Sequence, residues 1–118
     1  MRKLVYVAGP YTALTREEIS ANVAKAEEWG KQVLLAGHVP LIPHKISSHW
    51  DLDPRLSDLF GHVDWLERFC FPLLHSCHAI FLYPGWLNSK GAKMEHEFAM
   101  EHGIPVAHSI EELQRLFG

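Results

Sequence analysis

The chain has 118 residues, of which 47% are hydrophobic and 21% charged, and its net charge is −3. This length and composition predict one globular domain over residues 1–118. The weakly acidic balance argues against a nucleic-acid polymer as partner, because such binders carry basic patches. No apolar run approaches the roughly 20 residues that cross a membrane, and the first residues do not form a signal peptide. Because Cys70 and Cys77 form no disulfide framework, we expect a cytoplasmic protein.

The first half of the chain predicts two strands around one helix. Leu4 to Ala8 is a short, Val-rich run that ends at a Gly-Pro pair and predicts a buried strand. The capping box Thr15-Arg-Glu-Glu18 begins a helix, and Gly37 ends it. His38 to Ile42 then predicts a second strand, which ends at a proline.

The second half continues the alternation of helices and strands. Residues 43–57, rich in Pro, His, Ser and Asp, predict a loop, and the chain from Leu56 or Ser57 to Ser76 predicts a helix that Pro72 either kinks or restarts. The remaining predicted elements are a strand at His78–Tyr83, a helix at Lys90–His102, a strand at Ile104–Ala107 and a final helix after the capping box Ser109–Glu112.

This order of elements predicts an α/β fold, with a three-layer, doubly wound parallel sheet of four to five strands, flavodoxin-like or Rossmann-like. Ligands of such sheets bind beyond the carboxyl ends of the strands, where the strand order reverses. Three segments converge on that edge: Gly9–Tyr11, the 43–57 loop and the Gly85–Gly91 turn.

The strongest single signal is the start of the third long helix. A strand, a Gly/Ser turn and a helix N-terminus together form an anion-binding corner, with Ser89 as helix cap and hydroxyl donor. At about 100° per residue, Glu95 faces the apolar side of this helix, whereas Glu97 and Glu101 face outward. An inward carboxylate is costly unless it is used or satisfied. The spacing leaves two interpretations open: a functional carboxylate, or a buried one bonded to a neighbouring turn.

Other sites find less support in the sequence. It has no Gly-x-Gly-x-x-Gly and no P-loop motif, so we expect no dinucleotide and no cofactor. Its nine histidines include no zinc motif, because Met100 stands where a second histidine would follow His96-Glu97, and we expect no metal. His44 and His49 either contact substrate or lie at the surface, and Trp86 either stacks on a base or anchors packing.

Several motifs resemble those of the nucleoside 2-deoxyribosyltransferase superfamily, most closely a short uncharacterised branch (DUF4406-like) related to nucleoside 5′-monophosphate N-glycosidases. The resemblance runs from the first strand to about Val106, and its most specific part is the last motif. The matching segments are Tyr6-Val-Ala-Gly-Pro-Tyr11, Pro43-His44, Cys77-His78-Ala79 and Leu82-Tyr-Pro-Gly-Trp-Leu-Asn-Ser-Lys-Gly-Ala-Lys-Met-Glu95.

The resemblance implies cleavage or transfer at the N-glycosidic bond of a nucleoside 5′-monophosphate or nucleoside. Glu95 would attack C1′ and release the base, Tyr6 would position that carboxylate, and Ser89 would hold the 5′-phosphate. A second base or water would then take the sugar. The implied partners are a small nucleotide or nucleoside and a second copy of the chain in a homodimer. The apolar stretch 65–74 either contributes to that interface or belongs to the core. The remaining implied pocket residues are Gly9, Pro10, Tyr11, His44, Trp86, Asn88 and Gly91.

Two departures from the superfamily pattern favour an alternative. Cys70 and His78 stand where the superfamily usually has aspartates, the first of which faces the sugar hydroxyls, and Asp64 would substitute only if its helix were shifted. A non-catalytic nucleotide-binding module of the same fold is therefore the second hypothesis. A third, an electron-transfer flavoprotein, depends on fold analogy alone.

Overall fold

The computed structural model describes residues 2–59 and 63–117. Within them, four strands form one parallel sheet in the order β2-β1-β3-β4. The strands are β1 (Leu4–Ala8), β2 (Val39–Leu41), β3 (Ala79–Leu82) and β4 (Val106–Ala107). The helices are α1 (Arg16–Leu35), α2 (Pro43–Ile46), α3 (Val63–Trp65), α4 (Phe71–His75), α5 (Lys90–Glu101) and α6 (Ile110–Phe117). The predicted doubly wound parallel α/β fold is confirmed.

Helices cover both faces of the sheet, because alternate residues of the central strands point to opposite sides. One core contains Tyr6 of β1 and Ile80 of β3, with side chains from the 70–77 region and from α5. The other core contains Val5 and Phe81, with side chains from α1 and α6. β1 and β3 are therefore buried on both faces, which explains why their sequences show no alternation.

The predicted capping signals are confirmed at both long helices. The Thr15 hydroxyl accepts from the Glu18 amide at 3.1 Å at the start of α1, and Gly37 adopts φ 98° just after its end. Ser89 and Ser109 accept in the same way from Ala92 and Glu112, at 3.1 Å each.

The outer strands are shorter than predicted because their first residues complete helix ends. The amide of His38 donates to the Val33 carbonyl of α1 at 3.2 Å, so it does not join β2. The amide of Ile104 donates to the Ala99 carbonyl of α5 at 2.8 Å, and the next residue is a proline without an amide hydrogen. These amides are used in helix closure before the strands begin.

The segment after β2 differs from the prediction of a loop over 43–57. It contains α2, which begins at Pro43 because proline is well accommodated in the first turn of a helix, and a 3₁₀ turn at Trp50–Leu52. The predicted helix from 56 or 57 to 76 is described only in part, since residues 60–62 lie outside the described residues.

Pro72 restarts the helix, which is one of its two predicted effects, because α4 begins at Phe71 after a wide turn. A π-helical segment, Leu66–Cys70, joins α3 to α4, and the Phe71 amide donates to the Leu66 carbonyl five residues earlier. A proline in a regular helix lacks an amide hydrogen and clashes with the carbonyl four residues before it, and the wide turn avoids that clash. This segment places Cys70 in the core.

The strand order reverses between β1 and β3, whose carboxyl ends lead into Gly9 and Tyr83. α5 begins after the turn that follows β3, so its N-terminus lies at the same edge. No helix in residues 2–59 or 63–117 combines the length and apolar character that crossing a membrane requires.

Candidate functional site

A cavity of about 370 Å³ lies at the carboxyl edge of the sheet. Four segments form its wall: the β1–α1 connection, α2, the π-helical segment and the first turns of α5. The lining residues are Gly9, Tyr11, Thr12, Pro43, His44, Ser47, Trp65, Leu66, Cys70, Ser89, Lys90, Gly91, Ala92, Met94 and Glu95.

Glu95 is the buried carboxylate of this cavity. It is 6% exposed and lies on the buried face of α5 with Ala92 and Ala99, whereas Glu97 is exposed on the opposite side. The predicted inward orientation is therefore confirmed. The hydroxyl of Tyr6, from the middle of β1, donates a hydrogen bond to Oε2 of Glu95.

Burial raises the pKa of Glu95 to about 7, while the hydrogen bond from Tyr6 acts in the opposite direction. Burial and the nearby Glu95 charge raise the pKa of Tyr6 well above its usual value. The same two causes raise the pKa of the Cys70 thiol to about 12. At neutral pH, Tyr6 and Cys70 are thus protonated, and Glu95 is divided between its ionised and protonated forms.

The N-terminus of α5 opens into the cavity beside this carboxylate. Ser89 accepts from the Ala92 amide through its side chain and from the Lys93 amide, at 3.0 Å, through its carbonyl. Within the described residues, the amides of Lys90 and Gly91 have no hydrogen-bond acceptor. Two free amides and the helix dipole give this corner the chemistry of an anion site, and the lining residue Lys90 carries a positive charge.

His44 forms the opposite part of the lining and is anchored by backbone. Its Nε2 lies 3.2 Å from the Gly9 carbonyl oxygen and 2.9 Å from that of Pro10. Both groups are acceptors, so Nε2 carries the hydrogen and donates. Burial lowers the pKa of His44, while the two carbonyls act to raise it.

Tyr11 packs edge-on against His44, with ring centroids 5.2 Å apart. Its hydroxyl is buried and has no hydrogen-bond partner in the part of the chain that the structure describes. The His49 backbone faces this hydroxyl without meeting hydrogen-bond geometry, and burial raises the pKa of Tyr11. Beside it, Arg16 and Asp51 form an ion pair at 2.6 Å that ties α1 to the 3₁₀ turn.

The structure brings most of the predicted site residues together. Those at the cavity wall are Gly9, Tyr11, His44, Ser89, Gly91 and Glu95. Tyr6 lies behind Glu95, and Pro10 acts through its carbonyl on His44.

Three predicted residues lie elsewhere. Trp86 packs against His96 and His108, with ring centroids 4.9 and 5.4 Å away, and Asn88 is exposed in a 3₁₀ turn. Asp64 is exposed on α3, and none of the three lines the cavity.

Sequence reasoning missed several lining residues. Lys90 directly follows the predicted cap Ser89, so its position at a helix N-terminus was a usable signal. For Trp65 and Leu66 the sequence predicts an interface or the core, and the place of both residues at the cavity depends on the π-helical turn. Among residues 2–59 and 63–117, no group of three His, Cys, Asp or Glu side chains is arranged to hold a metal ion.

Fold and cavity together define a doubly wound α/β protein with a buried carboxylate at the reversal of strand order. The chain belongs to a family described as a domain of unknown function (DUF1937), whose model matches residues 3–111. No curated protein matches the chain. The family assigns no activity, so the resemblance to nucleoside 2-deoxyribosyltransferases stays a prediction.

Proposed function

We propose that this protein cleaves or transfers at the N-glycosidic bond of a nucleoside 5′-monophosphate or a related nucleoside. One observation carries the proposal: the Glu95 carboxylate is buried, lines the cavity and accepts a hydrogen bond from Tyr6. A buried carboxylate is costly unless it is used or fully satisfied. Only Oε2 has a hydrogen-bond donor among the described residues, so Oε1 is left to act on a ligand.

In the first half of the proposed reaction, an oxygen of ionised Glu95 attacks C1′ of the sugar. The bond from C1′ to the base nitrogen breaks, the electron pair leaves with the base, and a glycosyl ester forms on Glu95. In the second half, water or another base attacks C1′ and restores the carboxylate. This is the logic of retaining glycosidases, with a nucleobase as leaving group.

A nucleoside 5′-monophosphate suits the anion site at the start of α5. Ser89, Lys90 and Gly91 line the cavity near Glu95, and the two free amides would bind phosphate oxygens. Among the described lining residues, only Lys90 is a lysine or an arginine. Its ammonium would add charge attraction for the phosphate.

The test is base release from the 5′-monophosphates of adenosine, guanosine, cytidine, uridine and their 2′-deoxy counterparts, followed by chromatography. We expect release by the wild type and a loss of at least about 1,000-fold in Glu95→Gln, because the nucleophile is removed. Glu97→Gln, two residues away on the exposed face, is the matched control and should retain full activity. Equal release by wild type and Glu95→Gln would reject the proposal.

A non-catalytic nucleotide-binding module is the second candidate, favoured by one observation. Glu95 is the one carboxylate among the described lining residues, whereas retaining glycosidases use two. A module of this kind would show a raised melting temperature with a nucleotide of the same panel but no free base. Stabilisation accompanied by base release would exclude it.

We also propose that the chain is a homodimer in the cytoplasm. Its cysteines are free, as expected in a reducing compartment. Trp65 and Phe69 stack at 4.6 Å beside the cavity, and the next ring, Trp50, is 41% exposed. Light scattering should give twice the 13.5 kDa chain mass, and Trp50→Lys should shift it toward the monomer. A monomeric wild type at micromolar concentration would contradict this.

A further inference from the structure

The second half of the proposed reaction needs a group to accept a proton. Water or an incoming base must lose a proton as it attacks C1′, and retaining glycosidases use a second carboxylate for this. Among the described residues that line the cavity, Glu95 is the one carboxylate. It is already bonded to the sugar in the proposed glycosyl ester, so it cannot accept this proton. The proton acceptor must therefore be a different kind of group.

His44 lines the cavity and has one ring nitrogen with a free lone pair. Its Nε2 hydrogen is held by the carbonyls of Gly9 and Pro10, so Nδ1 is the unprotonated nitrogen. Within the described residues, Nδ1 has no hydrogen-bond partner. The Tyr11 hydroxyl is the only side-chain polar atom of these residues that is both fully buried and without a partner. Nδ1 is therefore not sealed in the core, and His44 is one of the residues that line the cavity.

The other titratable groups that line the cavity are poor proton acceptors. Burial raises the pKa of both Tyr11 and Cys70, which keeps them protonated. Lys90 is an ammonium with three donors and no lone pair. Glu95 itself is esterified at this stage of the proposed reaction.

We infer that His44 is the general base for the nucleophile that releases the sugar from Glu95, an inference that depends on the proposed function. The oxygen of water, or a nitrogen of the incoming base, forms a bond to C1′. The bond from C1′ to the Glu95 oxygen breaks, and its electron pair returns to the carboxylate. The proton of the attacking group moves to Nδ1 of His44, which becomes an imidazolium.

The backbone of β1 supports this charge as it forms. The Gly9 and Pro10 carbonyls already accept from Nε2, and a carbonyl dipole aimed at an imidazolium stabilises it. They also hold the ring in one tautomer, which is the role that an acidic partner has beside a catalytic histidine.

The variant His44→Gln separates the two halves of the reaction. The glutamine amide can still donate to the two carbonyls, but it cannot take a proton at neutral pH. With the nucleoside 5′-monophosphate that the wild type cleaves fastest, we expect a burst of about one base per protein. Steady turnover should then fall by about 100-fold or more, with the sugar adduct on Glu95 visible by intact mass.

Sodium azide provides a readout that a structural role would not give. Azide ion attacks C1′ without a proton to lose, so it should restore turnover in His44→Gln with formation of a glycosyl azide, and it should not restore Glu95→Gln. His75→Gln, an exposed histidine on α4, is the matched control and should behave as wild type. Turnover of His44→Gln within twofold of wild type, or no rescue by azide, overturns the inference and leaves the proposed function standing. Absence of base release by the wild type overturns both.

A measurement on the wild type keeps the inference testable if His44→Gln does not fold. Long-range ¹H–¹⁵N correlation spectra distinguish the two tautomers of each histidine ring. We expect His44 with its hydrogen on Nε2 and a bare Nδ1 at pH 7. A hydrogen on Nδ1 would leave no lone pair for the cavity, and the inference would be wrong.

Discussion

At the scale of single residues, the site depends on one short chain of contacts through the sheet. Tyr6 stands in the middle of β1, is fully buried and donates to Glu95, which reaches back from α5. Burial moves the pKa of Glu95 up, and the tyrosine hydrogen bond moves it down. The tyrosine therefore sets how much of the carboxylate is ionised near neutral pH, as well as its orientation.

Tyr6→Phe tests this balance. Loss of the hydroxyl removes the contribution that lowers the pKa of Glu95, so this pKa should rise above its value of about 7. The ionised fraction at pH 7 should decrease, and the acid limb of the base-release profile should move to higher pH. The measurement is a pH–rate profile together with an NMR titration of the Glu95 carboxyl carbon.

Tyr83→Phe is the control for this prediction. Tyr83 is equally buried in the strand-end turn after β3, and its hydroxyl donates to the Pro10 carbonyl at 3.5 Å. Burial and the Glu95 charge raise the pKa of Tyr83, but its hydroxyl makes no hydrogen bond to Glu95. Because this variant removes no hydrogen bond to Glu95, it should shift the Glu95 titration much less than Tyr6→Phe does. If both variants shift the Glu95 midpoint by the same amount, the assigned role of Tyr6 is wrong.

Gly9 shows how the sequence predicted a residue's place but not its reason. A glycine at the end of a strand predicts a tight turn and a close approach of ligand to backbone. The structure places Gly9 at the cavity wall. A side chain is excluded at this position by the Tyr83 ring, which a Cβ on residue 9 would overlap. That contact joins residues 74 positions apart, so no local pattern reveals it.

At the scale of elements, the N-terminus of α5 performs two separable functions. Ser89 closes the first turn of the helix, and the same turn presents free amides to the cavity. Capping contributes to stability wherever it occurs in the fold, whereas the second function is specific to the cavity. The two can be distinguished because α1 has a matching cap at Thr15, which is exposed and does not line the cavity.

Ser89→Ala and Thr15→Ala form a matched pair. Each removes a side-chain N-cap, so each should lower the free energy of unfolding by about 1 kcal/mol in urea titrations. Only Ser89→Ala should weaken the binding of inorganic phosphate and of the nucleoside 5′-monophosphates, measured by calorimetry. Equal effects of both variants on ligand affinity would show that α5 does not form the anion site.

Elements with local signals were predictable from the sequence, and elements set by distant contacts were not. Caps at Thr15, Ser89 and Ser109 are each encoded within four residues, and all three are confirmed. The π-helical segment before Pro72 depends on how the surrounding chain relieves a clash, which the sequence signals only as an interruption. Trp86 likewise packs on His108, a residue after β4, and thus lies away from the cavity.

At the scale of the whole molecule, the strand order decides where the cavity lies. The reversal between β1 and β3 brings the ends of two buried strands side by side. The two faces of the sheet then differ in what packs against them. The core with α1 and α6 is formed by hydrophobic residues. The core with α5 includes Tyr6, whose hydroxyl donates to Glu95. The alternation of helices and strands predicted this edge, although the contacts across it had to be observed.

The buried carboxylate also makes global stability depend on pH. In the unfolded chain Glu95 has the ordinary pKa of 4.5, and in the folded protein burial raises this pKa to about 7. Between these values the folded state holds more protons than the unfolded state, so the free energy of unfolding decreases as pH rises. The contribution is fully present below pH 4.5, is lost as pH rises through about 7 and is level beyond it.

Glu95→Gln isolates this contribution, because glutamine does not titrate and its amide oxygen can still accept from Tyr6. Urea titrations at pH 5 and pH 8 should show that the variant gains stability relative to wild type as pH rises, by about 3 kcal/mol at most. Glu97→Gln, on the exposed face of the same helix, should follow the wild-type curve at both pH values. Parallel curves for wild type and Glu95→Gln would mean that Glu95 is ionised in the folded protein at no cost. Water or a cation would then have to reach the carboxylate, and the low-dielectric environment on which its proposed reactivity depends would be absent.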